Sequence, residues 1–444
     1  MLISVPFLKT SDSVQCCLTF FRPEMSDGRK APSDIICANA PTPAGAACGG
    51  FSKVENPPCS NRASLEPHLL AEWKKIQKNG RSSNGGTCTA AFLACRSANT
   101  YIFNKCQNFT GFRVSSSFSE SKLNDILQRF KNKRIAVIGD LMLDKYVWGS
   151  VGRISPEAPV PVVEVESETE RLGGAANVAH NIQSLGGSPL LIGVIGNDLN
   201  GKRIGEILEH EHCSTAGLVV DESRPTTVKT RVIAHSQHVV RIDHERKKEI
   251  STAVREKIFS IVREHAGSLD GIIIEDYNKG VVAKPLIHRV VKSAKENRTI
   301  IAVDPKFNNF FEYKNVSVFK PNKKELEEAL GKKLVTEEEL VAAGKEVLQR
   351  LNAETILLTR GENGMTLIEA DSSVTHIPTQ ARKVADVSGA GDTVIATLTM
   401  ALASGVSIRE AAELANHAAG VVCGEVGIVP IEPLALKTAI LVDP

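Results

Sequence analysis

The chain has 444 residues, 42% of them apolar and 23% charged, with 53 Lys and Arg against 51 Asp and Glu. This is globular composition, with enough chain for one large α/β domain or two ordinary ones. A formal net charge of +2 gives no electrostatic footprint for nucleic acid or a membrane surface, and no run of about 18 apolar residues reads as a spanning helix.

Residues 1–117 stand apart from the rest. Up to residue 115 they hold 13 Lys and Arg against 7 Asp and Glu, and the remainder is mildly acidic at 40 against 44. Eight of the ten cysteines (Cys16, Cys17, Cys37, Cys48, Cys59, Cys88, Cys95 and Cys106) fall here, without CxxC or zinc-finger spacing. The segment is rich in Ser, Asn, Gly and Pro and has no sustained helical or strand period, so it is expected to be a disordered extension without an ordered core. One short helix is expected at Leu65 to Gln77. An organellar transit peptide and a disulfide framework are the alternatives; Asp12, Glu24 and Asp27 interrupt the pattern the first requires. The body keeps only Cys213 and Cys423, as expected of a cytoplasmic protein.

From residue 118 the pattern alternates between apolar strands and amphipathic helices. The helix SKLNDILQRF precedes the strand RIAVIGD; a helix follows Gly174, then the strand PLLIGVIG and a helix near LNGKRIGEILEHE. GIIIE, TIIAVDP, VSVFKPN and TILLTRG complete the series. Continuous Val/Ile/Leu strands separated by helices predict a doubly wound, mostly parallel sheet sandwiched by helices, with ligands at the carboxyl ends of its strands. Two stretches depart from this, near 159–167 (PVPVVEVES) and 225–245 (TTVKTRVIAHSQHVVRIDHE), the second with HSQ as a hairpin turn. They predict a small antiparallel flap that could exclude water from a reaction.

The most informative segment is Asp386-Val387-Ser388-Gly389-Ala390-Gly391-Asp392-Thr393, followed at once by the apolar helix VIATLTMALASG. Small residues let the amides of Gly389, Ala390 and Gly391 converge at a helix N-terminus, an anion hole for a phosphate. Asp392 would sit beside it, placed to take the proton of an attacking hydroxyl. A helix cap with Asp favoured by the dipole fits this segment equally well. Asn322 and Glu325 in KPNKKELEEALG have the spacing of a capping box and also the oxygen donors that a hard cation prefers.

DVSGAGDT before a late helix, with GGAANVA near the start of the same domain, resembles the two signature regions of the ribokinase-like (PfkB) carbohydrate kinases over roughly residues 120–432. The resemblance implies an ATP- and magnesium-dependent kinase in which Asp392 is the base. Asn322, Lys323, Lys324 and Glu325 would serve the nucleotide, with Asn322 and Glu325 holding magnesium through water. Thr359, Gly361, Gly364 and Asn416 would line the nucleotide pocket. On the acceptor side it implies Asp140, Asp144, Gly173, Gly174 and Asn177, and it suggests that the flap can pair two subunits into a homodimer.

Within the family, the segments GRISPEAPVPVVEVES, RPTTVKTRVIAHSQHVVRIDHE, EDYNKGVV and VDPKF look most like the D-glycero-β-D-manno-heptose 7-phosphate kinases of ADP-heptose synthesis. Such an acceptor needs cations at the far end of its pocket. Lys279, Lys306, Arg231 and Arg241 are candidates, with Asp276 beside them in the sugar site. Those kinases are often fused to an adenylyltransferase with a His-x-Gly-His motif; the chain reaches Pro444 without one, so only the kinase step is expected of it. Another kinase of the family, acting on ribose, fructose, fructose phosphate or a nucleoside, and a catalytically inactive sugar-phosphate sensor are the alternatives.

Overall fold

The structure is a computed structural model that describes residues 118–441 apart from 236, 382 and 383, together with the backbone of four short strands before residue 40. The chain divides into two units, Met1–Gly111 and Phe112–Pro444. In the first, strands β1 (Ile3–Ser4), β2 (Phe7–Thr10) and β4 (Asp34–Asn39) each pair antiparallel with β3 (Ser13–Phe20), pairing that the sequence does not announce by any sustained strand period. The helix expected at Leu65 to Gln77 lies outside the described residues.

In the second unit, helix α1 (Glu120–Phe130) starts at Ser119, whose side chain accepts from the Lys122 amide at 3.2 Å, and buries Leu123, Ile126 and Phe130 along one stripe. It leads into β5 (Arg134–Gly139), the pivot of the main sheet. From β5 the chain runs outward through β8 (Ser188–Ile195) to β9 (Leu218–Val220), then returns to the other side of β5 with β12 (Gly271–Glu275), β13 (Ile300–Asp304), β14 (Val318–Phe319) and β15 (Thr355–Thr359). These seven strands are parallel, and β16 (Met365–Glu369) and β17 (Val374–Ile377) extend the sheet antiparallel. The strand order reverses between β5 and β12, where an open α/β sheet leaves a crevice. Gly139 closes that crevice tightly, since a Cβ there would stand 2.1 Å from the Glu275 carbonyl oxygen.

Alternating strand residues feed two cores. Ile135 and Val137 pack on one face and Ala136 and Ile138 on the other, as a parallel sheet covered on both sides requires. The first face receives α1, α2 (Ala175–Ser184), α8 (Ala390–Ala403), α9 (Ile408–Val422) and α10 (Pro433–Leu441). The second receives α4 (Thr252–His265), α5 (Lys284–Asn297), α6 (Lys323–Leu330) and α7 (Glu337–Leu351). Helix α8 is buried from Asp392 through Ala401, which explains its lack of any polar stripe.

The flap is a separate sheet of order β11-β10-β6-β7, built from β6 (Leu141–Ile154), β7 (Pro161–Gly174), β10 (Thr227–Ala234) and β11 (Gln237–His244). The two expected stretches lie in it, and Ala234 and Gln237 close the expected hairpin. Its outer pairs are antiparallel, but the central pair, β6 with β10, is parallel. The flap is therefore mixed, because β6, which follows β5 after the single residue Asp140, is a strand that the sequence pattern had not announced. Helix α3 (Leu199–His210) begins at Asp198, whose side chain caps the Gly201 amide at 2.8 Å.

Candidate active site

The first turn of α8 lies at the carboxyl ends of β12 and β13, where Asp392 meets Glu275 and Asp304. Gly389 caps the helix at φ +80°, a conformation in which a side chain is strained, and a Cβ there would come within 2.9 Å of Asn177 Nδ2. Asp392 is buried three residues later, and each of its oxygens meets one donor. The Asn177 amide donates to Oδ2 at 2.7 Å and the Tyr277 hydroxyl to Oδ1 at 2.9 Å. Asn177 is itself oriented by Asn181, whose amide donates to Asn177 Oδ1 at 3.2 Å and whose Oδ1 accepts from Thr393 and the Ile431 amide. Burial pushes the Asp392 carboxyl up to about 6, opposed by the Asn177 donor and reinforced by the nearby Asp304 charge. A carboxylate that ionises near neutrality and is held by two donors is suited to accept a proton.

The next three strands add polar residues at their carboxyl ends. Glu275 ends β12, Asp304 ends β13 and Lys320 follows β14, with Lys320 Nζ 2.7 Å from Asp304 Oδ2. Glu275, Asp304 and Asp392 each offer an oxygen within 4.8 Å of the others. Burial, then the Asp304 and Asp392 charges, drive the Glu275 carboxyl well above its ordinary value, and its Oε2 is buried without a hydrogen-bond partner. Convergent hard oxygens with one unused fit a small divalent cation.

Sequence reasoning did not single out Tyr277, Glu275, Asp304 or Lys320. The available signal was their position: polar residues directly after apolar parallel strands mark the ligand edge of such a sheet.

Four of the residues expected to serve the nucleotide, Asn322, Lys323, Lys324 and Glu325, stand at the start of α6. Asn322 Oδ1 accepts the Glu325 amide at 2.9 Å and Glu325 Oε2 accepts the Asn322 amide at 2.8 Å, so the capping box is formed. The other Glu325 oxygen pairs with Lys306, whose ammonium lies 5.3 Å from the Tyr277 ring centroid. Burial disfavours the Lys306 charge, but Asp304 and Glu325 outweigh it and raise its pKa. Lys306 thus stands between the start of α6 and the Tyr277 ring, apart from the cations on the flap strands. Lys323 and Lys324 are exposed, and Lys324 lies 3.8 Å from Glu328. The Thr359 amide donates to Pro321 O at 3.0 Å, joining β15 to the same edge. Gly361 and Gly364 turn the chain with positive φ, and a Cβ on Gly364 would meet Ile377 O at 2.1 Å. Asn416 is buried on α9 and donates to Pro378 O at 2.6 Å.

Of the residues expected to meet the acceptor, Asp140 accepts three backbone amides: Oδ2 from Tyr277 N and Lys279 N at 2.9 and 3.0 Å, and Oδ1 from Val281 N at 3.1 Å. Burial, with the Asp276 charge, raises its pKa to about 6. Asp276 is likewise occupied, by Tyr313 OH at 2.6 Å, Asn309 Nδ2 at 3.1 Å and Asn278 N at 2.8 Å. These two carboxylates pin the loop that presents Tyr277. Asp144 is buried in an ion pair with Arg231, and Gly173 makes room for it, since a Cβ there would lie 1.9 Å from Asp144 Oδ2. Gly174, at φ +57°, leaves 2.5 Å between its would-be Cβ and Asp140 O. Lys279 pairs with Glu245 at 2.7 Å, and Arg241, exposed on β11, grips Asp243 at 2.9 and 3.0 Å.

Comparison with known proteins fits this geometry. Bifunctional protein HldE of Paramagnetospirillum magneticum is 41% identical over 308 residues, which cover 69% of this chain and 63% of that protein. HldE of Geobacter metallireducens is 43% identical over 297 residues, 67% of this chain and 61% of that one. The chain thus spans less than two thirds of the length of these relatives. Among solved structures, Arabidopsis thaliana ribokinase complexed with ribose and ATP superposes with a TM-score of 0.57 at 18% identity, covering 70% of this chain and 99% of that one. Escherichia coli phosphofructokinase-2 in complex with substrates and products gives 0.60 at 18% identity, over 69% and 98%. These two establish the ribokinase-like fold. The family model described as pfkB family carbohydrate kinase matches residues 132–433, and with the buried Asp392 at its glycine-capped helix the chain belongs to that family of sugar kinases.

Proposed function

We propose that the protein transfers the terminal phosphoryl group of ATP to the anomeric hydroxyl of D-glycero-β-D-manno-heptose 7-phosphate, giving the 1,7-bisphosphate. The observation that carries the chemistry is the Asp392 carboxylate, buried at the N-terminus of α8 with one donor on each oxygen. Its remaining lone pairs accept the proton of the attacking hydroxyl, while Asn177 and Tyr277 keep the carboxylate plane fixed. The Ala390 amide turns back to Val387 O at 3.3 Å, so the anion hole falls to the amides of Gly389 and Gly391 at the positive end of the helix dipole.

Magnesium would be held by Glu275 and Asp304, with Asn322 and Glu325 supporting from the start of α6; when bound it supplies positive charge against the ATP phosphates. Lys320 and Lys306 add fixed positive charge on the same side. The flap closes over the sugar and excludes water, so that phosphate passes to the acceptor and not to solvent.

The choice of a heptose phosphate rests on the similarity to HldE proteins over the kinase-like region. Coupled ADP release from residues 116–444 with Mg-ATP and a panel of heptose 7-phosphate, fructose 6-phosphate, fructose, ribose and adenosine tests it. A marked preference for heptose 7-phosphate is expected; equal turnover of ribose would overturn it. The exposed Ile154, Val165, Val240 and Ile242 of the flap support the further reading that two flaps pair in a homodimer, which sedimentation of wild type and Ile242→Lys would test. The free thiols Cys213 and Cys423 support a cytoplasmic setting.

A further inference from the structure

The flap carries a second concentration of charge, away from the base. Across β10 and β11, Lys229 stands opposite Asp243 and Arg231 opposite Arg241; across β6 and β10, Asp144 neighbours Lys229 and Tyr146 neighbours Arg231. Directly paired residues share a face, so all six lie on one side of the flap. Arg231 is committed to Asp144, and Arg241 to Asp243.

Lys229 and Lys279 are bound differently. They come from separate elements, β10 and the loop after β12, and reach the same carboxylate, Glu245, at 3.6 and 2.7 Å. Their side chains are 13% and 11% exposed and that of Glu245 only 10%, whereas Lys247, 3.5 Å from Glu245, is 72% exposed. Asp243 also approaches Lys229 at 3.4 Å, but it is shared with Arg241. Two sheltered ammonium groups thus converge on one carboxylate, Glu245, with Asp243, which Arg241 also holds, as a second anion beside Lys229. Glu245 lies just past the end of β11, in the irregular segment that leads back from the flap to α4.

We propose that Lys229 and Lys279 form the subsite for the phosphate of a phosphorylated sugar acceptor, and that Glu245 fills it as a displaceable internal anion until the acceptor arrives. A phosphate monoester carries nearly two charges and three acceptor oxygens, so it takes a hydrogen bond from each lysine and brings more negative charge between them than the Glu245 carboxylate it displaces. The position suits one molecule spanning both sites. Lys279 follows Tyr277 by two residues, a backbone separation of at most about 7 Å, and the Tyr277 hydroxyl touches the base. The exchange also releases Glu245 at the root of the flap, tying flap position to the presence of a phosphorylated acceptor.

This subsite rests on the sugar-phosphate reading, and its test is independent of turnover. Inorganic phosphate is titrated calorimetrically into the protein saturated with Mg-ADP, comparing wild type with Lys229→Gln, Lys279→Gln, Glu245→Gln and the exposed control Lys247→Gln. Removing one charge-assisted hydrogen bond should weaken phosphate binding about 10- to 100-fold in either lysine variant of the cradle. Glu245→Gln should tighten it severalfold, and Lys247→Gln should change it little. Weaker or unchanged binding in Glu245→Gln, or equal affinity in wild type and both lysine variants, would overturn the proposal. The expected pattern in a protein that fails to turn over heptose 7-phosphate would retain the cradle and replace the sugar.

Discussion

Replacing Asp392 by Asn should make the protein more stable and nearly inactive at once. Burial lifts this carboxyl from 3.8 to about 6, and each pKa unit corresponds to about 1.4 kcal/mol, so holding the charge in the folded state costs about 3 kcal/mol above pH 6. The sign follows from proton binding. Between the unfolded and folded pKa values the native state binds the extra proton, so stability falls as pH rises through roughly 4 to 6 and the penalty is complete above that. Asn carries no charge, and its amide fits the same partners: its oxygen accepts from Asn177 and its nitrogen donates to the Tyr277 hydroxyl oxygen. Thermal melts should therefore place Asp392→Asn several degrees above wild type at pH 8, with the difference shrinking toward pH 4.5. Removal of the base should lower kcat by about 10²–10⁴-fold. A variant less stable than wild type at pH 8 would refute the electrostatic reasoning, and an active one would refute the assignment of the base.

The same environment sets four other outcomes. The kcat/KM profile should fall on its acid side below about pH 6, well above an ordinary Asp, as Asp392 takes up its proton. Tyr277→Phe removes the donor on Asp392 Oδ1, so that limb should move to higher pH and kcat should drop at neutral pH while KM for ATP is kept. Asn322→Ala separates two roles: loss of the cap should lower stability by about 1 kcal/mol, and an accompanying rise in KM for Mg-ATP would show that the side chain also serves the nucleotide. Gly389→Ala should fold yet lose most activity, because its Cβ presses on Asn177 and so on the base; circular dichroism and steady-state rates check both parts.

Much of the main sheet was readable because its strands are short apolar runs bounded by helices, and burial on both faces leaves no alternation to confuse them. The glycine-capped start of α8 was readable for a related reason, since a positive φ and a close approach to Asn177 admit little but glycine. Strand β6 was not. Its sequence LMLDKYVWGSVGRI mixes buried apolar, charged and glycine residues, and the pairing is irregular at Trp148–Gly149 and Val151–Arg153. It is held by β7 and β10, far away in the chain, and such pairing leaves no local period.

Side-chain roles divided similarly. The family resemblance implies Asp140 and Asp276 for the sugar site, and the fold adds what no sequence pattern shows, that their oxygens bind loop amides and neighbouring side chains. Asn322 and Glu325 fitted a cap and a metal site equally, and the hydrogen bonds realise the cap. Lys229 and Lys279 lie 50 positions apart in the sequence and meet only through Glu245.

The most direct test of the proposed reaction is to identify the product of purified protein, Mg-ATP and D-glycero-β-D-manno-heptose 7-phosphate by phosphorus NMR. A second phosphorus signal coupled to the anomeric proton is expected, formed one-for-one with ADP and absent with Asp392→Asn. ADP formed without a new sugar phosphate, or a phosphate on any other hydroxyl, would contradict it.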